Sequence, residues 1–163
     1  AGVGSGAIHP ATMATAVRIA RLPLPLLQTV TRLSRPLREL RWWSNRQFKP
    51  SFYKIKTLPF ERWQPLRYSA TLPGTGIAMK KAGESILATD ITAYLAAIPC
   101  PVLALFGKYD HVVMPSEGQL VADHVPQGEV IYIEQCGHFP NWEKPEMYES
   151  IMTAYLRGNE IPQ

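Results

Sequence analysis

No stretch of this 163-residue sequence approaches the roughly 20 consecutive apolar residues that a membrane-spanning helix requires, so none is expected within the chain. Acidic residues are scarce at first: residues 1–89 hold 3 Asp/Glu against 14 Lys/Arg, whereas residues 90–163 hold 10 against 3. The basic stretch carries no nucleic-acid recognition motif, its arginines being scattered among proline and leucine, so nucleic acid is not expected as a partner. His111 and His124 lack neighbouring ligands, so no metal site is expected, and no cofactor motif is seen. No signal peptide is visible, which does not fix the compartment; the location is left open, with the cytoplasm favoured.

What is present describes a folded piece. With 46% hydrophobic and 18% charged residues the chain falls in the globular range. The charge asymmetry has two readings: a solvated basic face folded against an acidic domain, or attraction of the basic stretch to anionic lipid or an acidic substrate. Of the fifteen prolines, eight fall between Pro10 and Pro73 and break the first part into short elements, and the others lie around the later loops. Helical pieces are expected at residues 11–20, 26–43 and 59–68. Leu26, Val30, Leu33, Leu37 and Leu40 recur at helical spacing and are expected to form a packing face.

From Asp90 the pattern becomes regular. Asp90 suits the N-cap of a short helix over residues 90–97. Val102 to Phe106 is continuously apolar and closed by Gly107, which predicts a strand buried on both faces of a parallel sheet. Ser116 and Gln119 have capping-box spacing and open a helix through His124. A second strand follows at Val130 to Ile133. The last helix starts at Pro145, places Met147, Ile151, Ala154 and Tyr155 on one face, and stops at Gly158.

Strand, helix, strand, helix is a right-handed parallel unit. Two strands do not make a stable parallel sheet, so further strands are expected upstream, on a missing segment or another chain. Cys100 and Cys136, at opposite ends of neighbouring strands, would lie roughly 17 Å apart, beyond the ~7 Å reach of a disulfide, so both are expected to be free thiols.

Two loops stand out. Residues 107–110, GKYD, follow the first strand directly and lead to Val113 and Pro115. Gly137 and His138 follow the second strand, 28 residues after Asp110, and run through Trp142, Glu143, Pro145 and Glu146 into a helix. In order, spacing and context the pair resembles the acid-bearing and histidine loops of the α/β-hydrolase superfamily. The fold class implied is α/β, the C-terminal half of an α/β-hydrolase fold with a helical cap. Residues 1–9 would be the end of a core strand and its loop, 10–89 the cap, and 90–163 the C-terminal part of the core.

The resemblance implies catalytic roles for Asp110 and His138, His138 as general base and Asp110 holding the imidazole in the useful tautomer. The alternatives are an Asx-turn residue for Asp110 and a structural loop histidine for His138. Ser5 is one position out of phase with a Gly-x-Ser-x-Gly elbow and is read as loop, as is His9. The nucleophile and oxyanion hole would then lie outside this chain, on an N-terminal half joined as a missing segment or a second chain.

The activity implied is hydrolysis of an apolar ester or related acyl bond through a covalent intermediate. An Asp nucleophile acting on an epoxide or haloalkane, and a non-catalytic binding module, are the alternatives. The cap aromatics Trp42, Trp43, Phe48, Phe52, Tyr53, Phe60 and Trp63 suit either an apolar pocket or ordinary packing. Through the basic cap, a membrane surface is carried as a further partner.

Overall fold

The computed structural model describes residues 10–38, 40–69 and 72–161. The expected core-strand end at residues 1–9, with Ser5 and His9, lies outside the described residues. The chain divides into two compact units, residues 1–49 with 54–93, and residues 50–53 with 94–163.

In the first unit the described elements are helices: α1 (Pro10–Arg21), α2 (Leu24–Leu33), α3 (Arg35–Arg38), α4 (Arg41–Phe48), α5 (Phe60–Ser69) and α6 (Thr75–Ala88). Breaks at Ser34 and Leu40 divide the single helix expected over 26–43 into three. Pro65, by contrast, is accommodated inside α5.

The sequence reading does not anticipate α6, because Gly76 and Gly83 lower its helix propensity. Those glycines are where α6 meets its neighbours. A Cβ on Gly76 would stand 3.4–3.6 Å from Thr31 and Leu27, and one on Gly83 would stand 3.3 Å from the Ala16 carbonyl of α1. Lys80 of α6 also donates to the Ala20 carbonyl.

This packing corrects the expected face of α2. Leu27 is its buried residue, whereas Leu26, Val30, Leu33, Leu37 and Leu40 are all exposed, Leu33 at 70%. The inward side runs through Leu24, Leu27, Thr31 and Ser34. The Thr31 and Ser34 hydroxyls are satisfied by the helix's own carbonyls of Gln28 and Thr31, which lets polar residues occupy the close approach to α6.

In the second unit β1 (Val102–Gly107) and β2 (Gly128–Ile133) pair in parallel, from Val102 opposite Gly128 to Gly107 opposite Ile133. Between them runs α7 (Ser116–His124), and α8 (Pro140–Glu143) and α9 (Pro145–Arg157) follow. Alternation along the strands sends Phe106 and Val130 to α7, where a Cβ on Gly118 would stand 2.8 Å from each. Leu103, Leu105, Ile131 and Ile133 go to the other side, packing with Cys136 and with Ile151 of α9.

Details differ from the sequence reading. Among the described residues β1 has one strand neighbour, and Val102 to Phe106 are half-buried rather than enclosed on both sides. Residues 92–97 form a 3-10 helix, although Asp90 does cap it by accepting from the Thr92 amide and hydroxyl. The capping box does not form, because Pro115 is already in helical conformation and its carbonyl, with that of Met114, accepts the first-turn amides. On α9 the exposed Met147 gives way to Tyr148, which lies with Ile151 and Tyr155 on the inward side. Gly158 ends α9 in the left-handed conformation, φ +67°.

Gly107 closes β1 where a Cβ would lie 2.0 Å from the Gly137 carbonyl oxygen. Replacement Gly107→Ala is expected to destabilise the protein by about 3 kcal/mol or more, read as a lower denaturant midpoint at unchanged slope. Wild-type stability in this variant would show that the two loops do not approach in this way.

Candidate active site

Because β1 and β2 end together at Gly107 and Ile133, the loops that follow them open at the same carboxyl edge of the sheet. Backbone bonds lock the loops to one another: Lys108 N donates to Ile133 O at 3.0 Å and Tyr109 N to Cys136 O at 2.9 Å. The histidine loop turns sharply at Gln135, whose φ of 50° is the one positive value at a non-glycine position among the described residues.

Asp110 and His138 are brought together. Asp110 is buried, 6% exposed, and its Oδ2 lies 2.8 Å from His138 Nδ1. Its Oδ1 accepts from the amides of Val112 and Val113 at 2.7 and 3.0 Å. The Asx-turn read as an alternative for Asp110 is therefore present and compatible with the pairing. One oxygen orients the carboxylate and the other holds the imidazole. The His138 side chain is 31% exposed.

A four-residue strap, Pro50–Tyr53, runs beside the histidine loop. Ser51 O accepts from His138 N at 2.9 Å. Phe52 is 2% exposed and packs against Phe139 and Trp142, with ring centroids 5.3 and 6.3 Å away. The Tyr53 ring lies 4.6 Å from that of Tyr109. Of the aromatics expected in the cap, Phe52 thus packs beside the histidine, while Phe48, Phe60 and Trp63 pack together in the first unit and Trp42 is exposed.

Glu143 is the residue whose part the sequence reading missed. Its Oε1 accepts from Gly137 N and its Oε2 from Tyr53 N, both at 2.7 Å. Burial pushes its pKa above the usual carboxylate value, against the pull of these amides. The acidic residue between His138 and Pro145 was the available signal, but its partner Tyr53 lies 90 positions away.

No family model matches the sequence. It is 31% identical over 102 residues to a pimeloyl-[acyl-carrier protein] methyl ester esterase of Nitrosomonas europaea, covering 62% of this chain and 39% of that protein. The structure is similar to a thermophilic esterase of Thermogutta terrifontis, with TM-score 0.65, 24% identity and coverage of 91% of this chain and 51% of that one. It is also similar to MGS-M2, an α/β hydrolase enzyme from a Medee basin deep-sea metagenome library, with TM-score 0.63, 15% identity and coverage of 97% and 56%. The fold is the α/β-hydrolase fold.

The chain spans 39% of the length of the curated relative and about half of these solved structures. Within this part of the α/β-hydrolase fold, His111 and His124 are exposed, and no cluster of metal-ligating side chains occurs among the described residues. Both cysteines are free.

Cys136, two positions before His138, is not exposed at all, and burial, with Glu143 nearby, pushes its thiol up to about 12. It is therefore a protonated packing residue rather than a nucleophile. Iodoacetamide at pH 8 is expected to alkylate the exposed Cys100 and spare Cys136 until the protein is denatured, as read by peptide mass spectrometry. The folded state holds the Cys136 proton more tightly than the unfolded chain does. Its ionisation therefore subtracts stability as pH rises past the ordinary thiol value towards 12.

Proposed function

We propose that this chain supplies the acid and the base of an ester-hydrolysing α/β-hydrolase whose serine nucleophile lies outside it. The observation that carries the reading is the Asp110 Oδ2 to His138 Nδ1 contact of 2.8 Å, with Asp110 buried and its other oxygen engaged by two amides. The names of the relatives, a methyl ester esterase and a thermophilic esterase, support an ester substrate.

In this reading Asp110 accepts a hydrogen bond from Nδ1–H, which keeps the proton on Nδ1 and the lone pair on Nε2. Nε2 takes the proton of the serine hydroxyl as its oxygen bonds to the ester carbonyl carbon. The imidazolium is stabilised by Asp110 and returns that proton to the departing alcohol, leaving an acyl-enzyme. A water then gives its proton to Nε2 and its oxygen to the acyl carbon. Release of the carboxylic acid returns the proton to the serine.

An Asp nucleophile opening an epoxide or displacing halide uses the same pair and stays as the alternative, separated by its indifference to serine-directed reagents. A binding module would retain the geometry without turnover. In the complete protein a fluorophosphonate is expected to label one serine. Replacements His138→Ala and Asp110→Asn are expected to lower kcat about a thousandfold to ten-thousandfold with the fold intact. Ester turnover that survives His138→Ala would overturn the assignment.

A second observation favours a membrane surface as partner of the first unit. Residues 10–60 carry ten Lys/Arg against one acidic residue, and Leu26, Val30, Leu33, Leu37 and Trp42 are exposed within them. Apolar side chains among cations suit the interface of an anionic bilayer. Co-sedimentation of the complete protein with phosphatidylserine vesicles is expected to fall as salt rises from about 0.05 to about 0.5 M. Absence of binding at low salt would remove this reading.

A further inference from the structure

Two consecutive amides of the histidine loop, Gly137 N and His138 N, are taken by groups outside the loop: the Glu143 carboxylate and the Ser51 carbonyl. The second oxygen of Glu143 holds Tyr53 N, two residues beyond Ser51 on the same strap. The bonds form a closed circuit from Glu143 to Gly137, along the chain to His138, across to Ser51, along the strap to Tyr53 and back to Glu143. Inside it Phe52 is wedged against Phe139 and Trp142. A Cβ on Gly137 would stand 2.8–2.9 Å from backbone atoms of Tyr53 and Phe52, so loop and strap are in direct backbone contact.

This circuit requires a carboxylate. Two amide donors reach different oxygens of one side chain, and only a carboxylate offers an acceptor at both positions. A glutamine would turn its NH2 towards one of the N–H groups. Burial opposes the charge and raises the Glu143 pKa, so an ionisable group stands where desolvation disfavours it. Its bonds from the Gly137 and Tyr53 amides, with a longer contact from Cys136 Sγ at 3.8 Å, offset that cost.

We propose that Glu143 is the positioning residue of the histidine. It fixes the backbone on both sides of His138, through Gly137 directly and through the strap to His138 N, and thereby sets the imidazole against Asp110. Glu143 acts through His138 and makes no contact with the reacting atoms in this assignment. The proposal rests on the reading of His138 as the base.

The test uses the complete protein, with rates normalised to the sites titrated by fluorophosphonate. In Glu143→Gln, kcat is expected to fall about 10- to 100-fold with KM within about threefold, the size of effect that displacing a catalytic group by about 1 Å produces. Glu143→Asp, which keeps both acceptor oxygens on a shorter stem, should recover part of the loss.

Nitrogen NMR of the His138 ring gives a readout independent of turnover. Wild type should show one tautomer with the proton on Nδ1, and Glu143→Gln a mixture. Unchanged ring signals, a normalised kcat within about threefold of wild type, or a loss explained wholly by fewer titratable sites would each overturn the positioning role. Failure of wild type to label, together with indifference to His138→Ala, would instead overturn the hydrolase reading. In that case the ring signals still decide whether Glu143 orients His138.

Discussion

The in-register parallel pairing of β1 and β2 is the constraint on which the site depends. Because Gly107 lies opposite Ile133, two loops separated by a helix begin at the same level of the sheet. The lack of a side chain at Gly107 lets the Cys136 and Gly137 carbonyls come within distances that a Cβ would forbid. A slip of one residue would turn the apolar set away from α9 and separate Asp110 from His138.

Around that pairing, two carboxylates each use both oxygens for different tasks. Asp110 binds its own following amides with one and the imidazole with the other. Glu143 binds the histidine loop with one and the strap with the other. Each is thus oriented by one set of bonds while it orients something else. This division is how short loops, which carry little apolar surface, become rigid enough to hold a side chain to hydrogen-bond tolerance.

The helical unit follows a different rule. Its helices α1, α2 and α6 meet through small residues, Ala16, Ala20, Thr31, Gly76 and Gly83, so backbones approach closely and Leu27 fills the junction. Larger apolar residues are left outward on α2 and α3. A packing rule based on large side chains therefore selects the wrong side of α2.

The strands were legible in sequence from local pattern, and the pairing of Asp110 with His138 from the family resemblance of the two loops that bear them. A continuous apolar run closed by glycine makes a strand, and Gly-His before an acidic residue and proline makes the histidine loop. Helix α6, the inward face of α2 and the lost capping box at Ser116 were not legible. Each depends on what packs against the segment or on how the preceding residue lies. Glu143 is the sharpest case. The sequence by itself determined that a buried-type strand would end in a loop bearing Asp110 and that His138 would follow the next one. Only the tertiary structure decided that the amide of Tyr53, 90 positions from Glu143, would take the other oxygen of its carboxylate. Hydrogen bonds between distant segments are set by where the backbone carries them, and no local spacing records that.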